Sequence, residues 1–293
     1  MSSALKDLVR TQGGLVTVNQ LRAAGQTVHD VRRAVGNRDL RAVARGLYAS
    51  GETDVGYALR LATRRHNAVA SHQSAALLWG LELVEADTRA HVAVGRDCSP
   101  VGRAGVVIHR TGPGLREVTE RGGVRLTTPV RTVVDLARAL PLGEAVAVAD
   151  SALRHRLVTM QQLQAASVAL VGGPGRKRVA QAFALVDPLS GSVLESVCRV
   201  LFRQAGLAAP VTQLRVHSGG WSGRVGFAWP DLRLIVEVDG FAFHSSRQAF
   251  RRDRHRDNAL QRAGWRVLRV TFEDVFHSPD YVLALVSDVM TAA

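Results

Sequence analysis

The sequence predicts a multidomain α/β protein: a small winged helix-turn-helix at the N-terminus, an α+β middle and a C-terminal α/β domain. Three observations predict it. Residues 1–52 break into short amphipathic helices, capped by Thr and stopped by Gly, that end in two short strands. Asp231–Gly240 reads as an apolar strand ending in Glu-x-Asp-Gly. An arginine-rich helical stretch follows and leads into the alternating segment Trp265–Phe272. At 293 residues the chain can build two or three separate cores.

Composition narrows the function classes. The formal charge is +13, and of 38 basic residues only Lys6 and Lys177 are lysine. Such an excess favours an anionic partner, nucleic acid before a membrane surface. Cys98 and Cys198 are the only cysteines, so no disulfide framework or C-x-x-C metal site is expected. The first residues hold no apolar signal core, and no run of 18 apolar residues occurs. The expectation is a cytoplasmic protein that neither spans nor binds a membrane. The oligomeric state is not legible.

Taken in order, Leu5, Leu8 and Val9 mark a first helix stopped by Gly13-Gly14. Thr17 caps a second through Leu21, and Thr27 caps a third over Val28–Val35. Leu40–Ala44 and Leu47–Ala49 form the wing around Arg45-Gly46. In this arrangement Arg32 and Arg33 on the third helix reach DNA, while Arg41 and Arg45 in the wing touch its backbone.

Residues 53–170 read as the α+β middle domain. Helices are expected at Tyr57–His66, at Ser74–Leu78 and from Pro129 to Leu136, the last with Thr128 before its Pro. Strands are expected at His91–Val94 and Val106–His109. Asp135 and Asp150 read as hydrogen-bonded acids that set packing. His66 and His72 are wrongly spaced for one helical face and read as structural or solvent-facing. Residues 171–189 are a Gly/Pro-rich linker, lacking a full phosphate-loop pattern, and a connecting helix. Ser192 then caps the helix carrying Glu195, which opens the last domain, 190–293.

On the strand Asp231–Gly240, Leu234, Val236 and Val238 point one way, and Ile235, Glu237 and Asp239 the other. Two acids at a buried strand end need a partner. A hard divalent cation is one, and an acidic turn running out into solvent is the alternative. Residues 247–266 hold seven Arg and two Asp, with Phe250, Leu260 and Ala263 on the inner side and Gly264 as the stop. Acids for a metal beside arginines for phosphates are the parts of metal-assisted phosphodiester cleavage.

Glu-Val-Asp-Gly, His244, Asp253-x-x-Arg256 and Gly264-Trp265-x-Val-Leu-Arg269-Val resemble the DUF559 family, which looks like very-short-patch-repair endonucleases. Ser190–Val216 resembles that family's leading helix, with Glu195 as its first acid. The resemblance implies a restriction-endonuclease-like, PD-(D/E)XK, α/β fold acting on double-stranded DNA. Glu195, Glu237 and Asp239 would hold Mg²⁺ or Mn²⁺ and be catalytic. His244 would be a general acid or base, or else a capping residue. Arg252 and Arg256 would hold phosphates and Asp253 would orient Arg256 or His244. One departure stands out: where the family has R-x-D-x-x-W-P, this chain reads Arg224-Val225-Gly226-Phe227-Ala228-Trp229-Pro230. Gly226 stands where that carboxylate would be, and its loss is expected to weaken metal binding and cleavage.

The N-terminal pattern GGLVTVNQLRAAGQTVHDVRRAV…LRAVARGLYA and the middle segment SHQSAALLWGL resemble AbiEi-type antitoxins of type IV toxin–antitoxin systems, which are transcriptional autorepressors. Two functions are therefore expected to compete. One is a DNA-binding protein with a metal-dependent endonuclease-like domain, impaired by Gly226. The other is a non-catalytic, antitoxin-like regulator that binds operator DNA and, with it, a cognate toxin. Nothing in the sequence separates RNA from DNA as the target.

Overall fold

The computed structural model describes Leu5, Leu8 and residues 15–37, 39–44, 47–49, 68–87, 89–97, 106–121, 124–170, 174–218, 221–239 and 247–291. The chain forms two compact units, Met1–Leu78 with Asp87–Thr128, and Trp79–Ala86 with Pro129–Ala293. The expected helix Tyr57–His66, residues Arg45, Cys98 and His244, and residues 171–173 lie outside the described residues.

The first unit opens with strand β1 (Leu15–Thr17), helices α1 (Val18–Ala23) and α2 (Val28–Gly36), and strands β2 (Arg41–Ala44) and β3 (Leu47–Ala49). The strands form an antiparallel sheet in the order β1-β3-β2. Helix α2 starts where the sequence places it, because Thr27 and Asp30 form a reciprocal cap. The Asp30 N–H donates to Thr27 Oγ1 at 3.2 Å and the Thr27 N–H to Asp30 Oδ2 at 3.0 Å. Such a cap contributes about 1 kcal/mol. Leu5, Val16, Leu21, Val31, Ala34 and Leu40 form one buried cluster, which fixes the tilt of these short helices.

The same unit holds β4 (Val69–Ala70), α3 (His72–Trp79, all but its last residue), β5 (Ala90–Ala93), β6 (Val106–His109), β7 (Val118–Arg121) and β8 (Val124–Thr127). They make a mixed sheet, β6-β5-β4-β8-β7, in which β5/β6 and β4/β8 run parallel. Three histidines meet here. His72 stacks on His109 with centroids 3.5 Å apart. His91 Nδ1 lies 3.0 Å from His109 Nε2, and His91 Nε2 lies 3.1 Å from Asp87 Oδ2. Burial, with His91 alongside, pushes His109 down to about 4. A histidine held neutral in the fold binds its proton only in the unfolded chain between that value and its ordinary range near 6.5. Stability of this unit is therefore expected to fall as pH drops from about 6.5 to about 4, by about 1–2 kcal/mol after discounting for partial exposure. Thermal midpoints against pH check this, and the acid loss is expected to shrink in His109→Gln.

The second unit begins with helices α4 (Pro129–Ala139), α5 (Leu142–Arg154), α6 (Met160–Ala169) and α7 (Arg176–Ala184). Asp135 is buried and accepts from Arg131 Nε at 2.9 Å. Asp150, fully buried, reaches from α5 to helix α8 (Val193–Gln204). There it accepts from Ser196 Oγ at 2.7 Å and Arg199 Nη2 at 2.6 Å, and it also accepts from the Asp187 N–H at 2.8 Å. Both acids are packing residues, and Asp150 anchors the helix that carries Glu195.

Beyond α8 come β9 (Val211–Ser218), β10 (Trp221–Trp229), β11 (Leu234–Asp239), α9 (Arg247–Arg262), β12 (Arg266–Thr271), α10 (Phe272–His277) and α11 (Pro279–Thr291). The sheet order is β12-β11-β10-β9; β12 runs parallel to β11 and the other pairs are antiparallel. The predicted alternation holds. Leu234, Val236 and Val238 pack in one cluster with Phe202, Phe227, Val282 and Val286, while Ile235 packs in another with Leu260 and Trp265. Gly264, at φ +78, ends α9 in a left-handed turn. Among the described residues no helix is long and apolar enough to cross a membrane.

Candidate active-site region of the C-terminal domain

Glu237 and Asp239 share one face near the end of β11 because strand side chains alternate. The parallel register sets Glu237 beside Arg269 of β12. Arg269 Nη1 lies 3.4 Å from both Asp239 oxygens, and Nη2 donates to Asp257 Oδ1 on α9 at 2.8 Å. Burial works against the Arg269 charge, but Asp257 and Asp239 outweigh it and its pKa is raised.

Helix α9 brings Arg256 over the strand end. Its Nη2 donates to Glu237 Oε1 and faces the Arg224 carbonyl at 3.4 Å. Its guanidinium carbon lies 5.7 Å from the centre of the Trp221 ring, in cation–π range. The pair is mostly buried, with 13 % of the Glu237 and 21 % of the Arg256 side chain exposed. Burial raises the Glu237 pKa; Arg256, the Gly226 N–H and Arg269 pull it back, and the Glu195 carboxylate adds to the rise. Glu195 is therefore within electrostatic reach of Glu237.

Gly226 closes the site from β10. The pair Phe227↔Val236, extended by one residue, sets Gly226 opposite Glu237. The Gly226 N–H points to Glu237 Oε2 at 3.4 Å. A Cβ at this position would meet Glu237 Oε2 at 3.5 Å and the Val236 carbonyl at 3.3 Å. A side chain here would project toward the Glu237 carboxylate.

Glu195 lies in the first turn of α8, where Ser192 Oγ accepts from its N–H at 3.1 Å. Its Oε2 accepts from the Gly191 N–H at 2.8 Å and from Gln213 Nε2 at 2.9 Å. Gln213 holds a left-handed backbone, φ +52, within β9, a conformation that costs about 1 kcal/mol outside glycine.

The expected cluster of three acids around Mg²⁺ or Mn²⁺ is not met among the described residues, where no three His, Cys, Asp or Glu side chains gather closely enough to hold a metal ion. The carboxylates are engaged by protein donors instead: Glu195 by Gly191 and Gln213, Glu237 by Arg256 and Gly226, Asp239 by Arg269. A divalent cation needs free carboxylate oxygens in a shared shell. These residues do not fit one.

The other expected residues are distributed as follows. Arg32 and Arg33 are exposed on α2, with Arg33 bonded to Asp30 at 2.7 Å. Arg41 lies on β2, and Arg252 and Asp253 on α9, with their side chains outside the described residues. Reasoning from sequence gave Arg269, Gln213, Trp221, Arg215 and Arg224 no role. Arg215 and Arg224 are exposed and sit directly opposite each other on β9 and β10. Like charges so placed repel unless an anion lies over them. The parity of β12 could have signalled Arg269; no sequence signal marks the β9/β10 register.

Residues 212–290 match the model of a restriction-endonuclease-like family, REase_MTES_1575. Two uncharacterised proteins of Mycobacterium tuberculosis, Rv2248 and MT2308, are each 31% identical to this chain over 198 residues, which is 62% of this chain and 73% of theirs. The crystal structure of the RV2827C protein from Mycobacterium tuberculosis superposes with a TM-score of 0.39 at 18% identity, covering 60% of this chain and 79% of that one.

Proposed function

The chain belongs to the family of the uncharacterised Mycobacterium tuberculosis proteins Rv2248 and MT2308, and from that membership and its restriction-endonuclease-like C-terminal domain we propose that it is a DNA-binding protein whose endonuclease-like site no longer cleaves. The observation that carries the reading is the pairing at Glu237. Its two oxygens meet Arg256 and the Gly226 N–H, and the place of a second acid is taken by a glycine. Hydrolysis of a phosphodiester by this fold needs a cation that polarises the phosphate and activates water. Without it the domain keeps what the arginines supply, which is phosphate binding.

Duplex DNA is the target this reading assigns. The repulsion of Arg215 and Arg224 across β9 and β10 is relieved when a phosphate lies between them, and Arg256 adjoins this pair at the Arg224 carbonyl. The N-terminal segment is read as a winged helix, with α2 presenting Arg32 and Arg33 to the major groove. The regulator is thus favoured over the active nuclease.

Plasmid incubated with Mg²⁺ or Mn²⁺ is expected to be bound and left intact. Nicking that disappears in Glu237→Ala overturns the reading. Arg215→Ala/Arg224→Ala is expected to weaken duplex binding about tenfold and to flatten its salt dependence by about one to two units of slope. Arg32→Ala/Arg33→Ala is expected to act similarly, and an unchanged salt slope rules out α2 as the reader.

A further inference from the structure

We propose that the guanidinium of Arg256 is the resident cation of the endonuclease-like site: it holds the Glu237 oxygen that a divalent ion would need, and it makes DNA binding by this domain independent of metal. The inference rests on the reading of a disabled nuclease and adds what keeps the metal out. The missing carboxylate at Gly226 weakens a metal site; Arg256 pairs the acid that is left.

Four features of the site point this way. Arg256 is bonded to the acid that a metal would use, and Glu237 has its other oxygen turned to the Gly226 N–H. The guanidinium is held from three sides, by Glu237, by the Arg224 carbonyl and by the Trp221 ring, so it is a fixed charge and not a passing side chain. Its Nε is buried and has no hydrogen-bond partner among the described residues. A Cβ on residue 226 would lie 3.5 Å from Glu237 Oε2, so an aspartate there would stand beside the acid that Arg256 holds.

The neighbouring acid does not offer a way round. Asp239 shares Arg269 with Asp257, so a cation at Asp239 would compete with a second fixed guanidinium. A single half-exposed carboxylate is a poor site for a divalent ion, which prefers several oxygens at once. Restoring the aspartate alone therefore gives a second acid to Arg256. Removing Arg256 alone leaves one acid. Only both changes together leave two free carboxylates facing one space.

Mn²⁺ binding to the full chain, followed by calorimetry and by the paramagnetic signal of the free ion, tests this. Gly226→Asp, Arg256→Gln and Gly226→Asp/Arg256→Gln are compared with the parent. The double variant is expected to bind Mn²⁺ at least ~10-fold more tightly than the parent or either single variant, a non-additive gain of the kind expected for coupled neighbours. Equal binding by Gly226→Asp alone overturns the proposal and leaves the disabled-nuclease reading standing, because the missing acid then explains everything. Mn²⁺ binding by the parent that Glu237→Gln abolishes, without any nicking, also overturns the proposal alone. So does a folded double variant, with parental circular dichroism, that binds no Mn²⁺. A second measurement holds if the double variant does not fold: parent affinity for duplex in EDTA and in Mg²⁺ at matched ionic strength is expected to agree within about twofold. Tighter binding in Mg²⁺ that Arg256→Gln leaves unchanged overturns the proposal.

Discussion

Arg199→Ala is expected to destabilise the C-terminal unit by about 3–5 kcal/mol, or to lower its thermal midpoint by roughly 10 °C. Asp150 is fully buried on α5 and accepts from Arg199, Ser196 and the Asp187 N–H. Deleting the guanidinium leaves an acid in the interior with its main counter-charge gone, which is the costly way to break a buried pair. Arg199 also caps the Leu185 carbonyl at the end of α7, so that acceptor loses its donor too. Burial already pushes Asp150 up to about 6 against the pull of Arg199. The variant is expected to push it further. The sign follows from proton binding: below about 6 parent and variant both hold the proton in the fold, and above it only the variant does. The stability deficit is therefore expected to be smallest below about pH 6 and to grow as pH rises. Asp150→Asn keeps the shape and an acceptor and is expected to cost less. Thermal denaturation of both variants across pH checks the order, and an Arg199→Ala chain as stable as the parent removes the anchoring role of the pair. The loss also bears on the site, since Arg199, Ser196 and Glu195 lie on the same helix.

Arg256→Ala is expected to cost about 3 kcal/mol at neutral pH, by stranding Glu237 in a mostly buried position. The Glu237 carboxyl is raised by burial even with Arg256 in place. Without it the folded-state value rises again, so the folded variant takes up a proton that the parent does not. The deficit is expected to close as pH falls through the raised folded-state value, where Glu237 is neutral in both chains. A deficit that persists unchanged into acid would trace the loss to the Trp221 contact and not to the ion pair. The same variant is expected to bind duplex DNA more weakly, with a salt slope reduced by about one unit.

Much of the local structure was legible because it depends on neighbours in sequence. The Thr27 and Ser192 caps, the Gly264 stop and the alternation along β11 occur where capping chemistry and period-two patterning put them. The packing roles of Asp135 and Asp150 could also be read, though not their partners. The histidine group was not foreseen, because His72, His91 and His109 come from three elements and no local spacing connects them. Nor were Gln213 and the Arg215–Arg224 pair, whose meaning depends on the register of β9 against β10.

By itself the sequence determined the acids at the end of β11, the glycine standing at position 226 and the arginine excess on α9, since residue identity and strand parity need no partner to be read. Only the tertiary structure decided which charge each acid faces. Glu237 could have met a cation or a guanidinium with equal sequence logic; the packing of α9 brought Arg256 to it, and the parallel pairing of β12 with β11 brought Arg269 to Asp239. The reason is that pairing energies depend on distance and burial, and both are set by elements far apart in the chain.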